Sequence, residues 1–214
     1  VAADSAYKRA QPWYIVSTTQ RQADATFAKV KQMAEAIKLA EGAAAGFDVT
    51  DPDPFDDYLA EIDHVFTCTA RTLRFAKGGF VTALPGRNPD ALAGLTGHVI
   101  LTEFALFPAG GYGHWRVLFP LITRGYGIRV ITSARGRNTK AYEIASDPEH
   151  YSVHTVPIQR AVADGLVLYD NNGAPTTIDE FRRLYNDAAG WAREYECQWT
   201  GDLTALVAWS LLEA

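Results

Sequence analysis

One glutamate in this sequence stands where catalytic carboxylates are found. His98-Val99-Ile100-Leu101 is followed by Thr102-Glu103 and then by Phe104-Ala105-Leu106-Phe107. A short apolar run of this kind reads as a buried strand. Open parallel sheets place their chemistry at the carboxyl ends of such strands. A carboxylate there can orient and polarise a water molecule for attack on a phosphoryl group. A second run, Ile128-Arg129-Val130-Ile131, ends in Thr132-Ser133 and turns through Ala134-Arg135-Gly136-Arg137-Asn138. Hydroxyls at a neighbouring strand tip suit a sensor of the terminal phosphate, and Arg135 and Arg137 are candidates for contact with phosphate or DNA. Gln20 and Arg21 open a helix just after the strand Trp13 to Ser17, where backbone amides favour an anion. Each has a plainer alternative. A strand-end Glu can cap a turn or pair with an Arg, Ser and Thr at strand ends form turns, and loop arginines are usually solvated.

Composition limits the possibilities. The chain has 214 residues, 48% apolar, 21% charged and 12% aromatic, with a formal net charge of −5. This is globular composition, sufficient for one substantial core. The acidic balance gives no global reason to expect nucleic-acid binding, although Arg124, Arg129, Arg135, Arg137 and Lys140 crowd one region. The two cysteines, Cys68 and Cys197, form no CxxC, and His98, His114 and His154 do not fall at metal-ligand spacing. A structural zinc site or a disulfide scaffold is therefore not expected, and a reducing compartment fits best. No apolar stretch approaches the ~20 residues of a membrane span and no signal peptide is visible, so a cytoplasmic protein is expected. Val1 to Ala10 reads as the tail of a helix without an N-cap, and the apolar Leu203 to Leu212 stops without a C-cap. The expectation is a piece of a longer polypeptide.

The elements that must position these residues follow from periodicity. Trp13 to Ser17 predicts a buried strand, and Arg21 to Glu41 predicts a helix whose inner face is Ala23, Phe27, Val30, Ala34 and Ile37, ended by Gly42. Gly46 to Asp57 reads as a loop, followed by a short helix to Ile62. His64 to Thr69, Thr72 to Phe75 and Phe80 to Leu84 predict a hairpin arrangement turning at Gly78-Gly79. Helices are expected over His114 to Ile122, Asn138 to Ala145 and Ile158 to Asp164, and Tyr151 to Pro157 reads as an edge or late strand. The C-terminal third is expected to be helical to Leu212, with Thr177 as a cap. Strand–helix alternation gives an α/β fold, a mostly parallel sheet with helices on both faces.

The ordered segments WYIVSTTQRQA, FAKGGFVTALPG, NPDALAGLTGHVILTEFALFP, LFPLITRGYGIRVITSARGRNTKAYEI, YSVHTVPIQRAVADGL and REYECQW resemble the ATPase domain of phage terminase large subunits, those of Mu-like phages especially. The resemblance runs from Trp13 to Trp199. It implies a P-loop (ASCE-type) ATPase core with an appended β-hairpin, and a motor that uses ATP and Mg²⁺ to drive viral DNA into a procapsid. Double-stranded DNA, the portal protein and the small terminase subunit would be its partners. A homo-oligomeric ring in the host cytoplasm, at the portal, would be its working form. By position, Glu103 matches the catalytic glutamate of the Walker B segment, and Thr132-Ser133 match the coupling motif. Residues 1–200 would be a partial ATPase domain, and 201–214 the start of a linker towards an RNase H-like nuclease domain.

The sequence departs from that pattern in several places. No GxxxxGK[ST] phosphate loop occurs; Gly78-Gly79 and Gly110-Gly111 lack the Lys and the hydroxyl. In the family this loop lies upstream of the strand at Trp13. Thr102 stands where an Asp usually helps to hold Mg²⁺, and a hydroxyl supplies no charge. Ala93-Gly94 replaces an Arg-Gly pair, and Phe107-Pro108 replaces a polar position. The chain alone is therefore expected to hydrolyse ATP barely or not at all. Two other readings are a helicase-like nucleic-acid motor fragment, for which no Gln- and Arg-rich pair follows Ser133, and a non-catalytic prophage remnant or partner-binding module.

Overall fold

The computed structural model describes residues 2–44, 46, 66–75 and 78–201. The chain divides into two compact units: Val1–Pro108 with Gly113–Ile131, and Ala109–Tyr112 with Thr132–Ala214.

The first unit is built on a six-stranded sheet. Its strands are β1 (Pro12–Ser17), β2 (Phe66–Cys68), β3 (Thr72–Phe75), β4 (Phe80–Pro85), β5 (His98–Thr102) and β6 (Ile128–Ile131), in the order β2-β3-β4-β1-β5-β6. β4, β1, β5 and β6 form a parallel layer, with Val16 opposite Leu101 and Thr102 opposite Ile131. β2 and β3 extend that layer in antiparallel fashion from β4. The mostly parallel sheet and its appended hairpin thus follow the expected pattern. β1 and β5 are almost wholly buried, as strands covered on both faces must be. β6, at the sheet edge among the described strands, leaves Ile131 58% exposed.

Helix α1 (Ala2–Arg9) and the long helix α2 (Gln20–Ala44) pack on this sheet. Ala2, Ala3, Ala6, Ala23 and Ala34 are buried at the contact, and small side chains let helix and sheet approach closely. Phe27 fills the space between them, and Val30 and Ile37 pack against the same core. The inner face read from periodicity is therefore the one that is buried. Gly42 does not end α2; it is buried within the helix, which runs on to Ala44. Tertiary packing overrides the ~1 kcal/mol propensity cost of a helical glycine. The loop at 47–57, the helix to Ile62 and the strand start at His64-Val65 fall outside the described residues.

Helix α3 (Tyr112–Leu118) continues as a 3₁₀ helix, Phe119–Arg124, rather than as one α-helix to Ile122. Pro120 at its start lacks the amide an α-turn would use.

The second unit holds α4 (Lys140–Ala145), α5 (Ile158–Ala163), the two-stranded hairpin β7 (Leu168–Tyr169) and β8 (Pro175–Thr176), α6 (Ile178–Tyr185) and α7 (Ala188–Glu194). Thr177 caps α6 through a full capping box with Glu180. Trp191, fully buried, is surrounded by Phe181, Tyr185 and Tyr195. Two expectations fail here. Tyr151 to Pro157 is not a strand: among the described residues no strand lies beside it to pair with, and Val156 is 57% exposed. The C-terminal third is not wholly helical, because Asp170 accepts hydrogen bonds from the amides of Asn172 and Ala174 and folds a turn between β7 and β8. The stretch from Asp202 to Leu212 lies outside the described residues.

Candidate functional site

Glu103 follows directly on β5 and leaves the strand through a left-handed turn, with φ 56° and ψ 40°. Non-glycine residues rarely adopt this conformation, and such outliers cluster at functional sites. Its amide donates to the Ile131 carbonyl at 2.7 Å, which ties it to the tip of β6. The carbonyl of Thr102, on the other side of the same peptide bond, accepts from Ser17 Oγ at 3.3 Å. Glu103 stands at the N-cap of the short 3₁₀ turn Phe104–Leu106, yet its side chain makes no capping hydrogen bond. Among the described residues its carboxylate forms no ion pair either. Neither plain alternative, cap or salt-bridge partner, is what the side chain does.

The turn is held from below. Phe104 is fully buried and Phe107 is 3% exposed. The Phe107 ring meets His114 edge-on at 4.7 Å. His114, also buried, hydrogen-bonds through Nε2 to the Gly86 carbonyl just after β4. Burial pushes the His114 imidazole below its usual range, with the Gly86 bond partly opposing this. Gly86 is required for closeness: a Cβ there would lie 2.6 Å from Val16 Cγ1 and 2.9 Å from Phe107 Cε1. The ends of β4, β1 and β5 and the turn after Glu103 are thereby locked together.

Thr102 is 7% exposed, and its Oγ1 is buried without a hydrogen-bond partner among the described residues. A buried hydroxyl left unpaired is uncommon. One carboxylate and one orphaned hydroxyl fit the edge of a Mg²⁺ site, because Mg²⁺ takes few protein ligands and relies on phosphates and water. No cluster of three or more His, Cys, Asp or Glu is present among the described residues. The phosphates of a nucleotide fit less well. A Cβ on Gly79 would strike the Ala6 carbonyl, and Gly110 and Gly111 have left-handed backbones with no Lys beside them. Among the described residues these glycines form no phosphate cradle.

The remaining candidates are placed as follows. Thr132 and Ser133 continue directly from β6, and in the second unit Thr132 Oγ1 donates to the Ser133 carbonyl at 3.0 Å. Arg135 pairs with Glu194 at 3.1 Å. The Arg137 guanidinium lies over the Tyr142 ring at 6.0 Å. Gln20 donates to Asp24 at 2.6 Å, and Arg21 is exposed in the first turn of α2. The structure thus brings Thr102, Glu103, the tip of β6 and the start of α2 to the carboxyl side of one parallel layer. Ser17, Gly86 and His114 carry part of this arrangement and were not read as site residues. The only sequence signal for Ser17 is a hydroxyl closing an apolar run.

The fold is α/β, a mostly parallel sheet with an appended hairpin, and solved ATPase domains share it. Its structural neighbours are ATPase domains of phage large terminases. The ATPase domain of the large terminase of Thermus phage P74-26 matches with a TM-score of 0.53 and 18% identity, over 93% of this chain and 81% of that one. An arginine-to-alanine variant of that domain gives 0.55 with the same identity and coverage. At this identity the likeness is one of fold. No protein-family model matches the chain, and no curated protein matches it. Among the described residues no helix is long and apolar enough to cross a membrane.

Proposed function

We propose that this chain carries the hydrolytic side of a phage terminase motor domain, with Glu103 as the residue that orients and polarises the attacking water. The observation that carries the reading is the conformation of Glu103. A carboxylate without a capping hydrogen bond sits in a left-handed turn at the tip of a parallel strand, and such conformations cluster at functional sites. The Thr102 hydroxyl lies next to it and would approach a metal ion. When bound, Mg²⁺ would offset charge on the transferring phosphoryl group. Thr132 and Ser133, after β6, would relay the phosphate state to the DNA-gripping parts of the motor. Arg135, Arg137, Gln20 and Arg21 are secondary candidates for phosphate or DNA contact.

By resemblance to the terminase family, the working partners are double-stranded DNA, the portal protein and the small terminase subunit, in a ring in the host cytoplasm at the procapsid. The cofactors are ATP and Mg²⁺. Because the glycine-rich turns described here offer no cradle, turnover by this chain alone is expected at a trace level. Thr102, at the position of the metal-holding acid, favours a second reading in which the chain binds its partners without turnover. Radiometric ATP hydrolysis with Mg²⁺, compared between the parent and Glu103→Gln, separates the two. Mg²⁺-dependent turnover that Glu103→Gln removes supports the hydrolytic reading, and turnover indifferent to that substitution refutes it.

A further inference from the structure

We infer that Ser17 is a positioning residue for Glu103. Its hydroxyl, at the end of β1, holds the peptide group before the glutamate, and this fixes the direction in which the carboxylate leaves β5. The inference rests on the reading of Glu103 as the water-orienting group.

The Thr102–Glu103 peptide is held at both poles. Its carbonyl accepts from Ser17 Oγ at 3.3 Å, and its amide donates to the Ile131 carbonyl at 2.7 Å. The second bond is a continuation of the β5–β6 ladder. The first is not a ladder bond, because the paired register of β1 and β5 ends at Val16 and Leu101. A side chain takes over where the backbone pairing stops. Ser17 is suited to this by being fixed itself. It is fully buried, and its own carbonyl accepts from the Gly86 amide at 2.6 Å. A buried hydroxyl donates where an acceptor is available, and here that acceptor is the Thr102 carbonyl.

The clamp matters because the next residue departs from strand geometry. With φ at 56°, Glu103 turns the chain into Phe104, whose ring is buried. A peptide plane free to rotate would let Glu103 relax towards ordinary right-handed dihedrals and swing its side chain away from the strand tip. The β1–β5 ladder already holds the two strands together without the Ser17 hydroxyl. What the hydroxyl adds is the orientation of one peptide plane.

The test is amide hydrogen exchange by NMR on the full chain, in the parent, Ser17→Ala and Ser17→Cys, with no nucleotide present. Both variants remove the strong donor, and Cys keeps more of the side-chain volume. The expected result is a selective loss of protection at the Glu103 amide, about fivefold for one modest hydrogen bond. The Glu103 ¹³Cα shift should move away from its left-handed value, and the Ile15 and Val99 amides should stay unchanged. Unchanged exchange at Glu103, or an equal loss at Ile15 and Val99, overturns the inference. A failure of the hydrolytic reading has a different signature: Glu103→Gln leaves ATP turnover unaltered while the Glu103 amide still responds to Ser17→Ala.

Discussion

Replacing Glu103 with glycine separates a functional carboxylate from a structural one. In its left-handed conformation a residue with a Cβ is disfavoured by about 1–2 kcal/mol, and Glu103 gains no cap hydrogen bond in return. Glycine removes that strain but adds freedom to the unfolded chain, worth about 0.5–1 kcal/mol. The difference leaves Glu103→Gly between neutral and roughly 1.5 kcal/mol more stable than the parent. For a chain of this size that is a rise in Tm of about 0–6 °C. Glu103→Ala keeps the Cβ and therefore the strain, so it should track the parent and lie up to about 1.5 kcal/mol below Glu103→Gly. This order reverses the one expected inside a helix or strand. Urea and thermal unfolding, followed by the exchange protection of the Ile15 and Val99 amides, measure both variants directly. If Ala is more stable than Gly, or if both lose more than about 1 kcal/mol, the strain argument fails.

Other predictions follow from the same geometry. Gly86→Ala should cost about 1–3 kcal/mol, because its Cβ meets Val16 and Phe107 at 2.6 and 2.9 Å; denaturant titration reads the loss. Stability should also fall with acid before the carboxylates titrate. His98 is held below the ordinary value of 6.5 by burial and by Arg129, and His114 by burial. For both, the unfolded chain binds the proton first as pH drops. Their contribution is complete above about 6.5 and is lost as pH falls through the folded values. A scan of Tm from pH 8 to 5 should be flat and then decline below 6.5, and His114→Gln should lessen the decline.

Much of the sheet was readable from the sequence because its signals are strong and local. The apolar runs at Trp13, Val99 and Ile128 are bounded by polar residues, and the inner face of α2 repeats at helical spacing. Gly78 marks a turn where a hairpin needs one. The tip of β5 was also readable, because a single acid there interrupts an otherwise apolar stretch. The left-handed turn at Glu103 was not, since it depends on where Phe104 and Phe107 find space beneath the sheet. Nor was the part played by Gly86, a close approach of β1 and the turn that only packing reveals. The β7–β8 hairpin was missed because its strands are two residues each, shorter than any alternation can mark. Its turn at Asp170 to Gly173 was the better signal. Tyr151 to Pro157 shows the converse, an alternating segment with no strand beside it among the described residues.

The central claim is that the Glu103 carboxylate acts on water at the phosphate end of a nucleotide. Its most direct test is Mg²⁺-dependent ATP turnover by the chain, compared with its Glu103→Gln variant at matched nucleotide affinity. A positioned carboxylate contributes about a hundredfold or more, so the account predicts that turnover falls at least that far with binding unchanged. Turnover that stays within about threefold of the parent, well short of that contribution, would contradict it.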